Sequence, residues 1–142
     1  MLRPDAFLPV EHVHRSQEEA FTVLEGAVRF TSGTGVEVVR ADGTLVVPSG
    51  RPHSWGPHGN AGARVRVVFT PAGSTAHFFD TYFALAREGK VNAKGLANPV
   101  RMAQMGRTYD VYLGAAPVAL QRPVFAALDL VGRVLGYPRM PV

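Results

Sequence analysis

The sequence predicts a mainly β domain, a sandwich or barrel, followed by an α-helical C-terminal tail. Three observations predict it. Over residues 1–72, short apolar runs alternate with glycine, proline and asparagine punctuation, the pattern of closely spaced strands and turns. Pro71-Ala72-Gly73 then breaks the last of these runs. Beyond it the apolar residues recur at helical rather than alternating spacing.

The expected strands are Phe7–His14, Ala20–Glu25, Ala27–Thr31, Val36–Arg40, Thr44–Val47, His53–Trp55 and Arg64–Thr70. Gly26 fits a tight turn between the second and third, and Ala41-Asp42-Gly43 supplies another before Thr44. Ser74 is placed to N-cap a helix from Thr75 to about Glu88, ended by Gly89. Phe78, Tyr82 and Leu85 share one face of it, with Phe79 and Phe83 beside them. Asn98-Pro99 reads as an N-cap followed by proline at the first helical position, opening a helix to about Gly106. A last helix is expected from Pro117 or Gln121 to Leu135, with an apolar stripe of Val124, Leu128, Val131 and Leu135. Gly136 and Pro138 end it. The division is thus a β-barrel domain over 1–72 and a helical extension over 73–142, packing on the barrel or on a dimer partner.

Composition narrows the function classes. A chain of 142 residues, 46% hydrophobic and 18% charged, is globular and long enough to bury a core. Its formal charge of +4 comes from scattered arginines, not a basic block interleaved with aromatics, so no nucleic-acid partner is expected. The absence of cysteine removes disulfides and thiolate ligands and fits a reducing compartment. Neither a signal-peptide core nor an 18-residue apolar run is found, so the expectation is a soluble, cytoplasmic protein with no membrane partner.

The chemistry concentrates in HVHRSQEEAFTVLEG, residues 12–26, and PSGRPH, residues 48–53. On a strand, His12 and His14 point to the same face. If that face is the barrel interior, both imidazoles converge on one point. Glu19 would open the next strand, and His53 would arrive from a neighbouring strand after the Pro48–Gly50 turn. Three neutral imidazoles and a carboxylate make a mixed nitrogen and oxygen site suited to a divalent transition metal, Fe, Mn, Ni, Co, Cu or Zn. Taken singly, each residue is ordinary: an HxH pair arises by chance, and Glu18-Glu19 alone would be a solvated turn. The joint pattern is the specific one.

That joint pattern resembles the first motif of the cupin superfamily, G-x5-H-x-H-x(3,4)-E-x6-G. His12 and His14 match its histidines. Six residues separate Glu19 from Gly26, as the motif requires, whereas seven separate Glu18 from it. The stretch GTLVVPSGRPHSW resembles the second motif, G-x5-P-x-G-x2-H-x3-N, through Pro48, Gly50 and His53. Gly43 stands one residue closer to Pro48 than the motif has it, and Pro57 replaces the final asparagine. The resemblance to the barrel covers roughly residues 8–72. FTPAG, NPVRMA, LQRPVF and GRVLGY more loosely resemble small bacterial cupins with a helical tail. The resemblance implies a double-stranded β-helix, or jelly-roll, barrel with His12, His14, Glu19 and His53 as metal ligands. The family's motif also has a glycine six residues before the first histidine and more strands ahead of it. Here Ala6 takes that place and eleven residues precede His12. The metal-bearing strand is therefore expected near an edge that a partner strand, the tail or an upstream segment must cover. An uncovered edge favours association, hence an expected homodimer.

Alternation sketches the interior. Glu19, Phe21 and Val23 face one way, and Ala20, Thr22 and Leu24 the other. Val28, Phe30, Val65, Val67 and Phe69 join the first set. Phe21, Phe30, Arg51, Trp55 and Phe69 are the expected substrate pocket, mostly apolar and floored by the metal. Such a pocket suits a small aromatic or enol-type molecule with one oxygen donor. The resemblance implies dioxygenase chemistry of the quercetinase kind, with Glu19 doubling as a base. The rival is a non-catalytic metal or small-ligand binding cupin, and an isomerase or epimerase comes third. His58 and His77 read as surface or structural histidines.

Overall fold

The computed structural model describes residues 10–142. In chain order the elements are β1 (His12–His14), β2 (Glu18–Ser32), β3 (Gly35–Arg40), β4 (Thr44–Val47), β5 (Ser54–Pro57), β6 (Ala63–Thr70), α1 (Thr75–Arg87), α2 (Pro99–Tyr109), β7 (Val111–Leu113) and α3 (Val118–Val134). Residues 7–9 of the expected first strand lie outside the described residues.

β2 is the spine of the barrel. Its first half, Glu19–Thr22, runs between β4 and β6, and its second half, Val28–Thr31, between β3 and β5, antiparallel throughout. The tight turn expected at Gly26 is not there: the two strands predicted around it are one strand of 15 residues. Instead, the register with β6 slips between Val23 and Glu25, and Gly26 takes φ +75°. A Cβ at this position would sit 2.3 Å from the Gly62 carbonyl oxygen, so glycine serves a close backbone approach within a bent strand. The bulge also explains the alternation. Glu19, Phe21 and Val23 are buried at odd positions, then Val28 and Phe30 at even ones. One extra residue turns the strand so that both halves face the same interior.

That interior holds Phe21, Val23, Val28, Phe30, Val39, Val47 and Ala63, with Leu45, Trp55, Val65 and Val67 packed around them. All five strands of the sheet contribute, which closes one core. Phe21 sits edge-on to both Phe30 and Trp55, at 4.9 and 5.2 Å between ring centres, a favoured aromatic geometry.

The tail follows the sequence in outline. α1 ends as expected: Gly89 has φ +68°, its N–H bonds to Ala86 O, and the Lys90 N–H reaches back to Leu85 O, a Schellman closure. At its start the Ser74 side chain makes no capping bond. Thr75 Oγ donates to Ala72 O and accepts from Gln17 Nε2 instead, tying the helix to the loop before β2. Asn98 caps α2 through Arg101 N at 3.0 Å, with Pro99 first in the helix. This helix runs past Gly106 to Tyr109, because Gly106 is buried where the Phe125 ring packs.

Two features of the tail depart from expectation. β7 was not foreseen, and it pairs antiparallel with β1, His12 opposite Leu113 and His14 opposite Val111. The tail thus covers one side of the ligand-bearing strand within the same chain. α3 meanwhile is rotated away from most of its apolar stripe, of which Leu128 alone packs inward, against the cluster of Val13, Ala103, Tyr112 and Phe125. Gln121, Phe125, Asp129 and Gly132 are buried, while Val124, Val131 and Leu135 are 55%, 46% and 65% exposed. Polar pairing decides the orientation. Gln121 bonds both the N–H and the C=O of Leu113, and Asp129 accepts from Arg107 and Arg133. Gly132 leaves room for Val100 of α2 to approach.

Candidate metal centre

Three imidazoles face one carboxylate. Glu19 is 2% exposed. Its Oε1 lies 2.7 Å from His14 Nε2, 3.4 Å from His53 Nε2 and 3.8 Å from His12 Nε2. The fold brings these residues together locally. His12 and His14 alternate along β1, and Glu19 opens β2 on its buried parity. Gly50, at φ +79°, turns the chain so that its N–H bonds His14 O at 2.6 Å. His53 then pairs with His12 by two backbone bonds of 2.9 Å. His53 is therefore clamped to β1 on the side away from β7.

Second contacts fix two of the rings. His12 Nδ1 lies 3.0 Å from Val10 O and His53 Nδ1 3.0 Å from Arg51 O. Each Nδ1 must carry a proton to donate to a carbonyl, so a neutral ring presents its Nε2 lone pair to a ligand and a protonated ring presents an N–H to Glu19. Glu19 Oε1 and His53 Nε2 are buried with no hydrogen-bond partner, as is His14 Nδ1. Unpaired buried polar atoms are costly, and two of these face a common point. Metal bonds of about 2.0–2.2 Å place neighbouring donors about 3.0–3.5 Å apart, close to the observed spacings. The donor set therefore fits a divalent transition metal. His12, Glu19 and His53 bring ligand atoms within 4.8 Å of one another, and His14 meets the same carboxylate oxygen.

The electrostatics agree. Burial alone would push the Glu19 carboxyl up, but the facing imidazoles of His12, His14 and His53 outweigh it and hold it far below the usual carboxylate range. Burial pushes His12 down, helped by the neighbouring His53 and His14. The two shifts favour an anionic Glu19 and a neutral His12, the forms that bind metal.

The site opens into a cavity of about 320 Å³. His12, His14 and Glu19 are among the residues that line it. Of the expected pocket residues, Trp55 and Phe69 line it too. Phe21 and Phe30 do not: at 1% and 4% exposure they belong to the barrel core. Arg51 does not either. It is exposed, its Nε donates to Ser32 Oγ at 3.0 Å, and it borders a separate cleft of about 140 Å³. With Val10, Gln17 and Pro57 added from the β domain, most of the remaining wall comes from the tail, chiefly Phe78, Phe79, Tyr82, Phe83, Met105 and Tyr109. Sequence reasoning took these for cover. The signal was the aromatic crowding of α1, where Phe78, Phe79, Tyr82 and Phe83 fall at i, i+1, i+4 and i+5 and so widen one face. Glu18, His58 and His77 are exposed, as expected of residues outside the site.

An antiparallel double-stranded β-helix with a buried His and Glu cluster bordering a cavity is the class that fold and site define. Residues 1–70 match the family model of the cupin domain, and the chain belongs to the cupin superfamily. Solved structures similar to it include TT1209 of Thermus thermophilus, at 25% identity over 48% of this chain and 64% of that one, with a TM-score of 0.44. A sugar phosphate isomerase from a cupin superfamily of Silicibacter pomeroyi matches at 26% identity over 42% and 40%, with a TM-score of 0.40. A protein of Klebsiella pneumoniae with a double-stranded β-helix domain matches at 22% over 44% and 54%, with a TM-score of 0.39. The chain spans less than two thirds of the length of each. No curated protein matches it significantly. Among the described residues, no helix is long and apolar enough to cross a membrane.

Proposed function

We propose that this cupin holds a divalent transition metal on His12, His14, Glu19 and His53 and acts as a metal-dependent dioxygenase on a small aromatic or enol-type molecule. The carrying observation is the joining of this donor cluster to an aromatic cavity. A metal held there would supply Lewis acidity toward a donor oxygen of the ligand and, if redox-active, electron exchange with O₂ as oxidant. The chain's own residues have separate tasks. Phe78, Phe79, Tyr82 and Trp55 hold a flat ring and exclude water. Glu19, kept anionic, can take the proton of an enol or phenol that enters beside it.

A second reading is non-catalytic ligand binding. Its support is that Glu19 is the single carboxylate in the cavity lining among the described residues, so no separate general acid stands opposite it. An isomerase fits least well, because a polyhydroxylated substrate would find few polar partners on these walls. The test is O₂ uptake with aromatic enols after loading the protein with Fe, Mn, Ni, Co, Cu or Zn in turn. Turnover with a redox-active metal and none with zinc is expected. Ligand uptake without turnover under every metal would replace the dioxygenase with the binding reading. We propose further that the protein works as a cytoplasmic homodimer.

A further inference from the structure

We infer that the cavity selects arylcarboxylates, with Lys94 on the tail as the group that receives the carboxylate. This rests on the proposed metal centre for the other end of the ligand but adds a residue from outside the barrel.

Lys94 lines the same cavity as His12, His14 and Glu19, and it is the single Lys or Arg to do so among the described residues. Its backbone is held in place. Val91 and Ala97 bridge the ends of its loop. Asn92 Oδ1 accepts from Lys94 N at 2.9 Å and from Leu96 N at 3.1 Å. Gly95 N bonds Asn92 O, and Asn92 N bonds Leu96 O. Among the described residues the Lys94 ammonium has no ion-pair partner.

Charge then defines the ligand. A divalent cation beside the Glu19 carboxylate leaves one net positive charge at the floor, and Lys94 adds a second elsewhere on the lining. Lys94 is exposed, so its pull on an anion is that of a solvent-screened charge, while the rest of the lining is mostly apolar and aromatic. A molecule with an ionised donor oxygen and a separate carboxylate cancels both. Its body should be flat and aromatic. Phe78 stacks on Tyr82 at 6.0 Å and 15°, and Phe79 on Phe83 at 6.1 Å and 22°, while the two pairs meet edge to face, Phe78 on Phe79 at 73° and Tyr82 on Phe83 at 66°, so the lining offers both faces and edges of rings to a flat ligand. Phe79 and Phe83 are 38% and 52% exposed, which sets aromatic surface where a ligand enters.

Trp55 is the chain's single tryptophan and lines the cavity, so its fluorescence reports occupancy. The experiment titrates 2-naphthoate and its neutral isostere 2-naphthamide into wild type, Lys94→Gln and Lys94→Arg, each chelator-treated and zinc-loaded. Metal content is measured in parallel. Wild type should bind the naphthoate about fivefold more tightly than the amide. Lys94→Gln should erase that preference with the amide unchanged, and Lys94→Arg should keep it. Equal binding of the two probes, an undiminished preference in Lys94→Gln, or no quenching by either probe would overturn the assignment. A Lys94-dependent preference in protein that takes up no zinc would remove the metal centre and leave this inference standing. Normal zinc uptake without the preference would do the reverse.

Discussion

Glu19 occupies a place that would ordinarily neutralise a carboxyl group, yet three imidazoles hold it anionic. Metal affinity should depend on all four side chains. His12→Ala, His14→Ala, Glu19→Ala and His53→Ala should each sharply lower the metal content measured by elemental analysis, while the exposed His58→Ala should not. Full occupancy in His53→Ala would refute the site. The pH dependence has a definite sign. Folding lowers the pKa of His12 from 6.5, so below that value the unfolded chain takes up a proton that the folded one refuses. Glu19 is lowered from 4.5, and its stabilising contribution is present above that value and lost beneath it. Both make stability fall with acidification. The metal-free protein should therefore melt at progressively lower temperature between about pH 7 and pH 5, and the loaded protein should release metal over the same range. A flat melting temperature across that window would count against a buried, neutral His12, and the loss belonging to Glu19 should follow only below pH 4.5.

At the scale of elements, β1 has only three residues and relies on its neighbours. His53 pairs with one side and β7 with the other. Asp110, at φ +58° between α2 and β7, accepts from Arg15 Nε and from the Ser16 N–H and hydroxyl, which ties the tail to the β1–β2 loop. Gln121 holds β7 from behind through Leu113 and Ala116. Gln121→Ala would strand these backbone groups and should cost about 1–3 kcal/mol, read from the denaturant midpoint. Because β7 flanks β1, the same variant should also bind metal more weakly. Unchanged affinity would separate the tail from the site. Much of this level was legible in advance: β4 and the Asn98-Pro99 cap stand where patterning placed them, and Glu19 is buried while Glu18 is exposed. β7 was not legible, because a three-residue VYL run carries no periodicity. The α3 face was misread because apolar spacing was weighed without Gln121 and Asp129, whose buried polar bonds outrank it.

At the scale of the molecule, the tail is a wall of the site as much as a cover. The expected argument for dimerisation, an uncovered ligand strand, is answered within the chain by β7. Support for a homodimer now rests on the outer face of α3, where Leu120, Val124, Val131 and Leu135 are exposed together, a surface of the kind that monomers seldom present. Sedimentation should give twice the chain mass, and Val124→Glu with Val131→Glu should give the monomer mass with the fold intact by circular dichroism. A wild-type monomer at all concentrations would end that proposal.

The sequence by itself pointed to a mainly β barrel and to His12, His14, Glu19 and His53 as candidate donor residues. The barrel follows from alternation and turn spacing, and the candidate donors from the resemblance of two short motifs, all of them local properties of the chain. Only the tertiary structure decided that Phe21 and Phe30 fill the core, that Arg51 lies outside the cavity, and that α1, α2 and the Lys94 loop wall it. Those facts depend on how segments far apart in the chain pack, and on buried hydrogen bonds and glycine contacts that leave no period in the sequence.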